Sequence, residues 1–254
     1  MERKILLHLS FLGTAYCGYQ IQPNGITVQQ KLNEATKALF GFDCDIVGCS
    51  RTDSGVHANH FCATVSEKGK NAIATTVPID RLPLAMAQFL PEDIAVFDAE
   101  YVDSSFHPRY DVKYKEYVYR IWNRRERNPF LSDRSWHYPK TVGDDGLAQM
   151  KEAAKHFVGT QDFATYMAAD SKVSDTVRTI YKAEVNKEGD LIEFRVSADG
   201  FLYNMVRILT GTLIAVAEHK ILPEEIERIT ASKDRKQAGI TVPAHGLFLD
   251  KVVY

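Results

Sequence analysis

The chain has 254 residues, 45% hydrophobic and 25% charged, which excludes a disordered or fibrous chain and provides for one large core or two smaller ones. Lysine and arginine (31) nearly balance aspartate and glutamate (33), so a nucleic acid could be held only by a segregated basic surface and not by overall charge. Four irregularly spaced cysteines (Cys17, Cys44, Cys49, Cys62) form no CxxC pair, His8 and Ser10 interrupt the first apolar run, and Ile208–Ala217 is far shorter than the ~20 residues that span a bilayer. These features point to a cytosolic protein with reduced thiols and no secretory leader.

Arg3 to Phe11 reads as a strand. Thr27-x-x-Gln30 is a capping box opening a helix whose apolar face is Val28, Leu32, Ala35 and Leu39, and Gly41 suits its left-handed end. Short strands follow at Cys44–Cys49 and His60–Val65. Pro83 fits the first turn of a helix to about Leu90, and Ile94–Val102 returns to strand. In the second half, Tyr110–Trp122 reads as a long strand, and Leu147, Met150, Ala154 and Phe157 mark a helix ending at Gly159. A hairpin turns at Lys187-Glu188-Gly189-Asp190, a helix runs from about Leu202 to Glu218, and Gly246–Val253 closes as a strand. Strands and helices mix without strict βαβ alternation. The expected class is α+β, mostly antiparallel sheet backed by helices, divided near residue 105 into two similar subdomains, 1–105 and 106–254.

Two segments carry chemistry. From Arg109 to Arg127, seven basic residues (Arg109, Lys113, Lys115, Arg120, Arg124, Arg125, Arg127) outnumber three acids and alternate with Tyr110, Tyr114, Tyr117, Tyr119 and Trp122. Cations for phosphates and flat rings for bases make an RNA-facing surface, although a solvated strand of long side chains has the same composition. On strand alternation Lys113, Lys115, Tyr117 and Tyr119 share a face, and Ile121 beyond them marks Tyr119 as core. The second segment, Arg51-Thr52-Asp53-Ser54-Gly55-Val56-His57-Ala58, joins two apolar strands. It reads as a bent loop presenting Asp53, ionised beside Arg51, as a nucleophile. A polar turn whose aspartate caps nearby amides is the alternative, and composition alone favours that alternative.

The order of residues decides between them. Arg51–Ala58 resembles the catalytic motif of the TruA family of tRNA pseudouridine synthases, and the likeness continues in family order along the chain. Gly13–Gln22 is similar to the family's first loop, Val28–Leu32 to its helix, Phe106-His107-Pro108-Arg109-Tyr110 to a Phe-His-Ala-Arg segment, and Lys115-Glu116-Tyr117-Val118-Tyr119 to a Lys/Arg-x-Tyr-x-Tyr strand. Val177–Ile180, Met205-Val206-Arg207 and Gly246–Leu249 match further blocks. The resemblance implies the pseudouridine synthase fold and an enzyme that detaches uracil from ribose and reattaches it through carbon. Asp53 would be the nucleophile, attacking either the base or the anomeric carbon. Arg207 would hold Asp53 ionised, as an arginine in an apolar helix needs a partner. Tyr117 would pack on the uracil and is a candidate for handling the C5 proton. Arg51 would fill the space left by an extruded uridine, and Phe106, His107, Arg109, Lys113 and Lys115 would contact RNA. His57 would order the loop.

The resemblance further implies a homodimer, tRNA as partner, and uridines at positions 38 to 40 of the anticodon stem-loop as targets. Moving a glycosidic bond from nitrogen to carbon calls for no cofactor or metal, and His57 and His60 are poor candidates for metal ligands. Departures from the family pattern are Leu12, Tyr19, Ser50, Met167 and Ile208, which leave a specialised paralogue with another RNA as an alternative. A non-catalytic RNA-binding protein would have no use for Asp53, Tyr117 and Arg207 together, and a glycosidase would need a second catalytic carboxylate.

Overall fold

The computed structural model describes residues 2–169 and 173–254. The chain forms two compact units, one of residues 1–113 and 249–254, the other of residues 114–248.

In the first unit β1 (Arg3–Phe11) turns Ile5, Leu7, Leu9 and Phe11 to one buried face. Helix α1 (Val28–Phe40) buries Val28, Leu32 and Ala35. Its start is fixed by the Thr27 hydroxyl, which accepts from Gln30 N–H at 3.2 Å. Gly41 ends it at φ 78°, its N–H donating to Lys37 O. The box closes on one side only, since the Gln30 amide donates to Glu34 and not back toward Thr27. Strands β2 (Cys44–Gly48) and β3 (His57–Glu67) follow, then the short helix α2 (Leu82–Met86) and β4 (Ile94–Asp103). All pair antiparallel: β4 with β1 (Ile5 opposite Tyr101), β1 with β3 (Leu7 opposite Ala63), and β2 with β3 (Val47 opposite Thr64).

The second unit opens with β5 (Tyr114–Trp122) and the two-residue β6 (Trp136–His137), the one parallel pairing among those described. Then come α3 (Asp144–Lys155), β7 (Gly159–Asp162), the hairpin β8 (Val177–Glu188) and β9 (Leu191–Ala198), α4 (Met205–Ala217), α5 (Glu225–Ser232), and β10 (Leu247–Val253), which ends in the first unit. The sheet runs β5-β9-β8-β7, antiparallel throughout, with the turn at Gly189 (φ 56°). Helix α4 buries Met205, Val206, Ile208, Leu209, Leu213, Ile214 and Val216, as an apolar helix must. The class is α+β, a mostly antiparallel sheet backed by helices.

Four features differ from the sequence reading, the first being α3, which ends at Lys155 so that Gly159 opens β7 instead of closing the helix. Helix α2 ends at Met86 and runs on as turns to Leu90, whose N–H still donates to Met86 O. The strand expected from Tyr110 starts at Tyr114: residues 107–111 form a turn, with Tyr110 N–H and Asp111 N–H both donating to His107 O. The division falls at 113/114 because the preceding segment is tied into the first unit. Lys4 Nζ donates to Phe106 O, Tyr254 Oη to Pro108 O, and Lys113 N–H to Val253 O.

Thr27→Ala should destabilise the protein by about 1 kcal/mol in denaturant titration, through loss of the cap. Gln30→Ala, whose side chain caps nothing, should cost only about 0.2–0.5 kcal/mol, the size of a lost helix-surface pair; equal costs would contradict the half-closed box.

Candidate active site

The Asp53 loop leaves β2 at Cys49, whose N–H still pairs with Cys62 O, and re-enters β3 at His57. Within it Val56 N–H closes on Asp53 O at 3.1 Å, with Gly55 at φ 78° supplying the left-handed residue of the turn. Asp53 is half-buried and Arg51 exposed.

This loop is backed by a second one, residues 13–19. Tyr19 N–H donates to Thr52 O, and both Ser54 Oγ and Gly55 N–H donate to Tyr16 O. Gly18 (φ 79°) lies so close that a Cβ there would meet Thr52 O at 2.5 Å, and one at Gly13 would meet Val56 O at 2.0 Å. Gly13 N–H donates to His57 Nδ1 at 2.9 Å, within the core. Because Nδ1 accepts, the buried His57 ring is the neutral tautomer protonated on Nε2. Tyr16 is anchored in turn, its hydroxyl donating to Asp93 Oδ1 at 2.5 Å; burial first, then Asp93, raises its pKa far above the ordinary phenol value. The backbone around Asp53 is therefore held by main-chain and side-chain groups 33 to 44 residues away. Sequence reasoning attached no physical role to Gly13, Tyr16 or Gly18, and missed Asp93; the glycine-tyrosine spacing of the first loop was the available signal.

The candidate RNA-contact residues divide. Arg51, His107 and Arg109 line one cavity of about 250 Å³ with Ser50 and Tyr110. The Tyr110 ring, 75% exposed, lies against His107 with centroids 4.3 Å apart. Two arginines and two flat rings on one surface suit phosphates and bases. Phe106 instead packs edge-on to Tyr254, 4.9 Å between centroids, and Lys113 Nζ donates to Tyr254 O at 2.8 Å, so both fix the segment. Lys113 also lies before the strand begins, which removes it from the face it was expected to share with Lys115 and Tyr117.

In the second unit, β5 buries Lys115 (9% exposed) and Tyr117 (7%), so Lys115 is no open phosphate contact. Tyr117 stands edge-on to Phe201 at 4.9 Å. Tyr119 is core, its hydroxyl donating to Pro243 O. Arg207, half-buried on α4, donates from Nε to Val242 O (2.7 Å) and from Nη1 to Asn204 Oδ1 (2.6 Å), partners in its own unit that the sequence did not suggest. Arg120 pairs with Glu193 and covers the Phe248 ring, and Arg124 pairs with Glu126 and Asp190.

A family model described as tRNA pseudouridine synthase matches residues 153–254. Proteins called tRNA pseudouridine synthase A are similar along the whole chain. That of Thermoanaerobacter sp. (strain X514) is 41% identical and that of Clostridium acetobutylicum 40%, each alignment covering 99% of this chain and 100% of the relative. That of Ruminiclostridium cellulolyticum is 42% identical with the same coverage. The chain belongs to the tRNA pseudouridine synthase family. A chain in a crystal structure of a Cbf5-Nop10-Gar1 complex aligns at a TM-score of 0.35 and 15% identity, over 85% of this chain and 54% of its own, too loosely to argue from.

Against the family pattern, two departures are core positions. Tyr19 stacks on Phe61 at 4.3 Å and is 2% exposed, and Ile208 is fully buried in α4. Ser50 lines the cavity with Arg51, and Leu12 is 36% exposed beside the first loop. Nothing in the structure explains Met167.

His57→Leu leaves the buried Gly13 N–H without an acceptor and should cost about 1–3 kcal/mol of stability with a drop in turnover. His57→Asn, whose Oδ1 occupies the place of Nδ1, should retain most of both. Equal loss in the two variants, by denaturant titration and single-turnover assay, would show that the acceptor is not what matters.

Proposed function

We propose that this protein is a tRNA pseudouridine synthase, an isomerase that uses Asp53 as its nucleophile. The observation that carries the reading is family membership along the whole chain, joined to an aspartate loop braced from behind at the family's motif. In the reaction the bond from ribose C1′ to uracil N1 breaks and one from C1′ to C5 forms. N1 gains a proton and C5 loses one, so no oxidant or external group enters. A carboxylate bonded transiently to base or sugar lets the uracil turn, and that bond breaks again before release. Arg207 is assigned the role of keeping Asp53 ionised. Tyr117 is assigned that of packing on the uracil and taking up the C5 proton. Both assignments rest on the family resemblance.

The finer readings are proposals on the same ground: uridines 38 to 40 of the anticodon stem-loop as targets, a cytoplasmic protein whose four cysteines form no disulfide, and a homodimer. A near-neutral subunit offers one small cationic cavity to a bulky polyanion, and two-fold pairing doubles that surface.

Asp53→Asn should lower pseudouridine formation, followed by tritium release from 5-tritiated uridine in tRNA, by at least roughly three orders of magnitude. RNA affinity should stay within a few fold, because the swap preserves shape and binding rests on cations. Turnover near that of the wild type would overturn the assignment.

Arg51→Ala with Arg109→Ala should weaken tRNA binding and make the slope of log affinity against log salt shallower by about 2, one phosphate for each arginine. Lys113→Ala, whose ammonium holds the Tyr254 carbonyl, should change the slope far less; the reverse pattern would place the RNA elsewhere.

A further inference from the structure

On β1 and β3 three ligand-type side chains converge. His8 of β1 lies directly opposite Cys62 of β3, and His60, two residues earlier on β3, projects to the same side. His8 Nδ1 and His60 Nε2 are 2.9 Å apart, and Cys62 Sγ is 3.6 Å from the first and 3.4 Å from the second. All three donor atoms fall within 4.8 Å of one another.

Those separations are the edges of a coordination polyhedron. A tetrahedral zinc with bonds of about 2.0–2.1 Å to nitrogen and about 2.3 Å to sulfur has edges of about 3.3 Å between nitrogens and about 3.5 Å between nitrogen and sulfur. The three observed distances come within a few tenths of an ångström of this without any backbone movement. The chain also supplies an outer partner. His8 Nε2, the nitrogen turned away from the cluster, lies 3.2 Å from Glu100 Oε1 on β4. A carboxylate there holds the proton on Nε2 and leaves the Nδ1 lone pair aimed at the cluster, the arrangement that orients metal-bound histidines.

The remaining surroundings agree. The Phe97 ring flanks both imidazoles, 6.3 Å from His8 and 5.6 Å from His60, and forms an apolar wall. Cys62 is fully buried while both histidines are half-buried, so an ion would sit over the thiolate with its fourth position toward solvent. The thiolate and Glu100 carry two negative charges against the ion's two positive ones.

We propose that His8 Nδ1, His60 Nε2 and Cys62 Sγ form a zinc site that ties β1 to β3, with Glu100 orienting His8 from β4. On binding, the Cys62 thiol and His60 Nε2 each present a lone pair to the metal. The thiol proton leaves to water, and the imidazole proton moves to Nδ1. The sequence reading dismissed His60 in company with His57. The partners are His8, 52 residues away, and Cys62 on the same strand. None of the three residues belongs to the Arg51–Ala58 loop.

The test uses untagged, chelator-stripped, reduced protein titrated with Co²⁺ as an optical stand-in for Zn²⁺. One cobalt per chain should bind with intense tetrahedral visible bands and a thiolate-to-cobalt band in the near ultraviolet, and Zn²⁺ should displace it. Cys62→Ser should abolish the thiolate band and weaken binding at least a hundredfold, whereas Cys17→Ser changes neither. Glu100→Gln should weaken binding about 10- to 100-fold. His8→Gln, with folding checked by circular dichroism, repeats the loss without touching the buried thiol. The proposal is overturned by failure to bind, by the weak octahedral spectrum of hydrated cobalt, or by a thiolate band that survives Cys62→Ser.

Discussion

The hydrogen bond from Gly13 N–H to His57 Nδ1 is the constraint on which the candidate active site depends. A loop that presents a carboxylate has no ladder of its own, so its backbone must be fixed by another segment. Here residues 13–19 do that work at four points: Gly13 on His57, Tyr16 O under Ser54 and Gly55, Gly18 against Thr52, and Tyr19 N–H on Thr52 O. Two of those contacts leave no room for a side chain, which is why glycines stand at 13 and 18. Tyr16, bound to Asp93, carries the brace into the strand start at Ile94. Asp53 is thus positioned by sheet and loop together, which suits the nucleophilic role proposed for it.

Charge is organised on the same economy. The chain is nearly neutral, and much of its apparent basic segment is already spent: Arg120 on Glu193, Arg124 on Glu126 and Asp190, Lys113 on the Tyr254 carbonyl, with Lys115 buried. In the first unit Arg51 and Arg109 are exposed and line one cavity with His107 and Tyr110. Counting cations along the sequence overstates the RNA surface. Pairing and burial decide which of them can meet a phosphate.

Elements with local signals were legible in the sequence. The first strand was read close to its observed bounds, the Thr27 cap and Gly41 bounded α1, and Gly189 marked the β8–β9 turn. What was missed is set by distant groups. Lys113 leaves the β5 strand because its N–H pairs with Val253 O, and α5 shows only Ile226 and Ile229 as buried apolar positions, too few for a periodicity. For the proposed site, the sequence singled out Asp53 only through the order of its neighbours, since composition alone described a polar turn. The brace from Gly13, the Val242 and Asn204 partners of Arg207, and the His8–His60–Cys62 cluster all join residues that no local pattern connects, except for the Asn204 contact three residues away.

On the proposed function, this chain converts uridine to pseudouridine in tRNA through Asp53. The most direct test is nucleotide-resolution pseudouridine mapping of unmodified total RNA incubated with the purified protein or with Asp53→Asn. The account predicts new pseudouridines confined to uridines of tRNA anticodon stem-loops with the wild type and none with the variant. New pseudouridines in other RNAs, or the same products from both proteins, would contradict it.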